Sequence, residues 1–181
     1  MKIGVIGAGN IGGVLGKKWA AAGHTVTFGV RNPADTKFDT LHSAGTVSSI
    51  EEAVKSGEVI VLTLPGAAVA DFAETHGAAL ASKILIDTTN NVRSPELNNL
   101  VVLAAKTPKA HLARAFSTLG WENFANPQIN GEQIDLFFCA QPAARDIVEA
   151  LISAIGLRPV YLGDVDLAPA LDDTRLVCPG L

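Results

Sequence analysis

The chain has 181 residues, 48% hydrophobic and 18% charged, enough apolar material for one sizeable core and too much for a disordered chain. Its 14 Lys and Arg against 18 Asp and Glu give a formal net charge of -4, spread without blocks, which argues against nucleic acid or an anionic membrane as main partner. No apolar run reaches the roughly 18 residues of a membrane span, and the start reads as a strand with no basic, apolar leader, so a cytoplasmic location is expected. Cys139 and Cys178 are too few and too far apart for a disulfide framework or a metal knuckle, and read as small apolar residues.

The first thirty-odd residues organise the chain. Ile3, Val5 and Ile6 predict a buried strand, and Gly7-Ala8-Gly9-Asn10-Ile11-Gly12 follows at once. A helical pattern runs from Ile11 to about Ala22, Gly23-His24 breaks it, and Thr25 to Val30 predicts a second strand. Strand, glycine turn, helix and strand in that order form the dinucleotide-binding fingerprint. Gly7 allows the tight turn, Gly9 lets a pyrophosphate approach the backbone, and Gly12 lets the helix sit close to the sheet. The helix N-terminus then offers N–H groups and a positive dipole end to the phosphates. An NAD site carries Asp or Glu about 20 residues past the glycines. Here Gly29-Val30-Arg31-Asn32-Pro33 has no carboxylate before Asp35, and Arg31 stands in its place. A guanidinium beside a ribose holds a 2′-phosphate, so NADP(H) is the expected cofactor.

A polar connection leads through Gly45 to a short strand at Thr46-Val47 and a short helix opened by Ser49 and Glu52 at capping-box spacing. Residues 58–64 (EVIVLTL) predict a central parallel strand buried on both faces. Pro65-Gly66 ends it, and residues 67–81 read as helix. Residues 83–87 (KILID) predict another strand, followed by the turn Thr88-Thr89-Asn90-Asn91. Ser94-Pro95-Glu96 predicts a helix start, with a capping serine and proline at the first position, running to about Ala105. Strands are then expected at 111–117, 134–140 and 158–162, with a loop or short helix at 118–125 and a helix over 142–155. The expected fold is a doubly wound α/β Rossmann-type domain over 1–181, mostly parallel, with a core half at 1–105 and a second half at 106–181. The tail from Asp172 is too short for another unit. Trp121, Phe124, Leu167, Leu171, Leu176 and Val177 look like more apolar surface than one sheet buries, which predicts a homodimer.

In such sheets ligands sit beyond the carboxyl ends of the strands. The candidate turns are 7–12, 29–32, 64–66, 87–91 and 117–121, with Leu64 and Pro65 beside the cofactor and Thr88, Thr89 and Asn90 near the nicotinamide carboxamide. Asp87 is equally suited to fixing its turn. His24, His42, His76 and His111 are scattered, and no catalytic acid–base group stands out. Positioning alone suffices when both redox partners bring the chemistry.

VIGAGNIGGVLGKKWAAAGHTVTFGVRNP, VIVLTLPGAAV, ILIDTTNNV and RAFSTLGWENFANP occur in this order over nearly the whole chain, and together they resemble the NADPH-dependent reductases of the deazaflavin coenzyme F-420. The glycine turn is shared with many dehydrogenases, pyrroline-5-carboxylate reductases included, whereas the AFSTLGWENF stretch is more specific. The resemblance implies a Rossmann domain that binds NADP and moves hydride to or from a deazaflavin. In it Ala8, Gly9, Asn10 and Ile11 match the diphosphate turn, Arg31 the 2′-phosphate arginine, and Leu64 and Pro65 the turn beside the cofactor. Val30 replaces a usual serine, and Ser117 stands where asparagine is commoner. The chain ends at Leu181, where family members continue into a helical segment that helps form the second cofactor's pocket and the dimer contact, so a shortened C-terminal segment is expected. The expected partner is a small redox substrate. The alternatives are a reductase of an imine, flavin or quinone on the same scaffold, or a protein that senses NADP(H) without catalysis.

Overall fold

The structure, a computed structural model, describes residues 1–92, 94 and 96–177, the last three by backbone alone. The first half runs β1 (Lys2–Ile6), α1 (Asn10–Ala21), β2 (Thr25–Val30), β3 (Thr46–Ser49), α2 (Ile50–Ser56), β4 (Val59–Leu62), α3 (Val69–His76), β5 (Ile84–Asp87) and α4 (Leu100–Lys106). The second half adds β6 (His111–Arg114), α5 (Trp121–Ala125), a small hairpin of β7 (Gln128–Ile129) and β8 (Glu132–Gln133), β9 (Asp135–Ala140), α6 (Pro142–Ala154), β10 (Arg158–Gly163) and α7 (Ala168–Val177).

Eight strands form one sheet in the order β10-β9-β6-β5-β4-β1-β2-β3. Every neighbouring pair is parallel except β6 with β9, where Arg114 faces Cys139. The direction changes there because the link from β6 carries only the five-residue α5 and the hairpin, and no full crossover helix. The order reverses between β1 and β4, which sets a crevice at their carboxyl ends. Both strands are apolar and buried on both faces, as β4 (VIVL) illustrates.

Each face of the sheet carries a core. Trp19, Phe28, Phe116, Phe124 and Phe138 lie on one side with α1 and α6, and Leu62, Phe72, Leu80, Leu85 and Leu103 on the other with α3 and α4. Gly16 lets α1 lie against β2, since a Cβ there would meet the Phe28 ring at 2.2 Å. The predicted capping serine is in place: Ser49 Oγ accepts from the Glu52 N–H at 3.2 Å.

The structure differs from the sequence reading in several places. The helix expected from Ser94 begins at Leu100. Asn91 N donates to Leu97 O instead, and the Asn99 N–H is taken by the Asp87 carboxylate. Pro95 lies outside the described residues, as do Cys178 and the side chains of Leu176 and Val177. The single helix expected over 67–81 is broken at Gly77, which packs so closely on the end of α4 that a Cβ would meet Lys106 O at 2.4 Å. Phe124 and Leu171, expected as part of an exposed patch, are fully buried, while Trp121 and Leu167 are about two-fifths exposed (39% and 42%). Ala168–Val177 is a helix joined to the core through Ala168 and Leu171. Among the described residues no helix is long and apolar enough to cross a membrane.

Candidate functional site: a dinucleotide cleft at the carboxyl edge

The glycine turn leaves β1 at Gly7, whose φ of +99 is a left-handed conformation that glycine alone adopts freely. Gly12 brings the first turn of α1 against the strand end, because a Cβ there would meet Gly7 O at 2.1 Å. Thr63, at the end of β4, fixes the turn from the other side. Its hydroxyl lies 2.6 Å from Gly7 O and 3.0 Å from Ile6 O. Gly9 differs from these. It has an ordinary φ of -76, and an added Cβ would meet nothing within 4 Å. No side chain caps α1, and its first turn holds no carboxylate. Neither backbone conformation nor packing within the chain requires a glycine at this position.

Beside this turn lies a cavity of about 640 Å³, bounded by Arg31, Asn32, Lys37, Leu64, Pro65, Asp71 and Phe72 among others. Its walls are largely apolar, with the cations Arg31 and Lys37 at the β2 end. Asp35 does not point a free carboxylate at a ribose. It accepts from the Lys37 N–H at 3.1 Å and pairs with Lys37 Nζ at 2.7 Å, and these bonds hold its carboxyl below the usual carboxylate range. Ala8, Gly9 and Asn10 line an adjoining groove with Lys17 and Lys37. Two loops distant in sequence therefore meet the glycine turn along one edge. Leu64-Pro65-Gly66 is pressed onto the turn after β5, where a Cβ on Gly66 would lie 2.8 Å from Asn90 O.

The turn after β5 is held by a buried ionic network. Arg114 at the end of β6 is 0% exposed, and its guanidinium uses all five N–H donors. Nε and Nη2 donate to Asp172 Oδ1 at 3.0 and 2.7 Å, Nη1 to Asp87 Oδ2 at 3.1 Å and to Thr89 O, and Nη2 also to Asn90 Oδ1 at 2.9 Å. Asp87 is filled as well, accepting from Thr89 N, Thr89 Oγ1 and Asn99 N. Asp172, on α7, also accepts from Asn98. Buried charge is tolerable only with this degree of pairing.

The sequence-predicted residues sort accordingly. Gly7, Ala8, Gly9, Asn10 and Gly12 form one turn, Ile11 packs its side chain against the core and leaves its N–H to the helix end, and Arg31, Asn32, Leu64 and Pro65 share the neighbouring cavity. Asn90 lies on the same edge, but its side chain is committed: Oδ1 accepts from Arg114 and Nδ2 donates to Ser117 O at 2.9 Å. Thr88 and Thr89 are buried and turned inward, bonding Leu62 O and Asp87. His24 sits at the opposite end of the sheet, near the N-terminus of β1. Cys139, opposite Arg114, has its thiol pushed up to about 11, first by burial and then by Asp172, and stays a neutral core group.

The family model described as "NADP oxidoreductase coenzyme F420-dependent" matches residues 2–91, which contain the glycine turn, Arg31, Leu64, Pro65 and Asn90. Residues 2–91 form a domain of this family. A solved structure of a proposed F420-dependent NADP-reductase from Arthrobacter sp. fb24 superposes with a TM-score of 0.83 at 25% identity, covering 98% of this chain and 91% of that one. The metalloreductase STEAP3 of Rattus norvegicus is 30% identical over 175 residues, 91% of this chain and 34% of the relative, so the chain spans about a third of that protein. A reductive aminase from Aspergillus terreus, solved with NADPH and ethyl levulinate, shares the fold at a TM-score of 0.72 and 21% identity, over 97% of this chain and 59% of that one. The roles of Arg114, Asp172 and Thr63 are not apparent from the sequence alone. The one signal for Arg114 was a charge between two alanines inside an otherwise apolar strand.

Proposed function

We propose that the chain binds NADPH along the carboxyl edge and passes hydride to a conjugated ring acceptor of the deazaflavin type. Bound NADPH supplies the hydride, the acceptor ring takes it with a proton from solvent, and NADP+ remains. The diphosphate lies on the backbone of Gly7, Ala8, Gly9, Asn10, Ile11 and Gly12 at the open end of α1. Arg31 and Asn32 take the 2′-phosphate, Leu64 and Pro65 flank the adenosine half, and the turn at Asn90 borders the nicotinamide. The observation that carries the reading is the unfilled space before Gly9, at an uncapped helix end, next to a cavity whose β2 end bears Arg31 and no free carboxylate. The metalloreductase and reductive aminase relatives motivate flavin, metal-chelate and imine acceptors as comparison substrates in the same assay.

Arg31 provides the test. A charge-assisted bond from a guanidinium to a 2′-phosphate is worth about 1.5–3 kcal/mol, so Arg31→Ala weakens NADPH binding by roughly ten- to a hundredfold. NADH carries a hydroxyl there and is nearly indifferent. Dissociation constants for both cofactors, measured on parent and variant, decide the matter. Equal losses make Arg31 structural, and a parent that prefers NADH sinks the NADP reading. Loss of NADPH absorbance with each acceptor then ranks the deazaflavin against the others.

A further inference from the structure

We propose that the Ser117 hydroxyl binds the hydride acceptor, making its hydrogen bond to a carbonyl or ring nitrogen of a conjugated ring lying beyond the nicotinamide. This rests on the reading of the chain as an NADPH-dependent reductase of such a ring. Among the described residues, Ser117 Oγ is the buried side-chain polar atom left without a partner, in a residue only 4% exposed. An orphaned buried hydroxyl is costly relative to a paired one, and the rest of this neighbourhood is satisfied down to every N–H of Arg114. The exception therefore calls for a function.

The backbone around Ser117 is shaped and held. Phe116 has a φ of +58, the left-handed region that a bulky side chain rarely enters. Its ring is locked edge-on between Trp19 at 5.7 Å and Phe124 at 5.8 Å, so the kink is imposed by the core. On the other side the Ser117 carbonyl is tied to Asn90, and Asn90 to Arg114. The main chain is thus fixed from two directions while the hydroxyl is free to turn about a single bond. Position gives the ligand. Ser117 follows β6, and β6 lies three strand spacings, about 14 Å, from the glycine turn after β1. A dinucleotide seated at that turn reaches across β4 toward β5, so the loop after β6 borders the next molecule along. That loop ends in Trp121, 39% exposed, which offers apolar surface to a flat ring.

The test compares the parent with Ser117→Ala in three measurements: NADPH affinity, binding and turnover of coenzyme F420 and of FMN by the cofactor-loaded protein, and the unfolding midpoint without ligand. The expected result is NADPH affinity within about twofold of the parent and acceptor binding and kcat/KM lowered roughly tenfold. The ligand-free midpoint equals or exceeds the parent's, since no bond is lost. A variant that matches the parent with both acceptors overturns the proposal. So does one whose midpoint and NADPH affinity fall together, because the hydroxyl is then structural. A parent that binds NADPH but neither acceptor overturns the ring-acceptor reading, and this proposal with it.

Discussion

At Gly9 the chain meets open space where any other residue would carry a Cβ, and its φ of -76 suits all of them. Gly12, three residues on, has Gly7 O at 2.1 Å from the same hypothetical atom. Packing within the chain thus requires glycine at the second of these positions and not at the first. Gly9→Val is expected to fold with an unchanged melting midpoint and to lose NADPH binding, as a titration of the purified variant would reveal. Gly12→Val is expected to lose stability first. If Gly9→Val binds NADPH as the parent does, the diphosphate does not lie on this turn.

The elements around the site depend on one another through Arg114. Arg114→Met leaves Asp87 and Asp172 buried without their cation, which costs about 3–5 kcal/mol, whereas Asp172→Asn keeps an acceptor oxygen and costs less. Denaturant midpoints for the two variants check the order, and equal midpoints would contradict it. The glycine turn, Arg31 and the Leu64-Pro65 turn were legible in the sequence because each is a local pattern whose chemistry is set within a few residues. The Arg114–Asp172 pair was not, because 58 residues separate partners that only the sheet brings together. The start of α4 was misread for a related reason. Ser94 and Glu96 carry a valid local signal, yet Asp87 claims the Asn99 N–H, and tertiary bonding outweighs the cap. The anchoring of α7 by Asp172 is hidden in the sequence for the same reason.

Over the whole molecule the two halves share one sheet, and Trp19 joins them on its face. Its indole N–H on α1 donates to Leu151 O on α6 at 3.0 Å, across 132 residues, and its ring packs on Phe116. Trp19→Phe removes that bond and some buried area, so a loss of about 1–3 kcal/mol is expected, with fluorescence and circular dichroism still following one common transition. Two separated transitions would mean that the halves unfold independently. The sealed guanidinium of Arg114 has a consequence for timing. Its protons are all engaged and none touches water, so they trade with deuterium only when α7 lifts away from the sheet. A slowly decaying Arg114 Nε–H resonance in a magnetic-resonance spectrum would then serve as a clock for that opening.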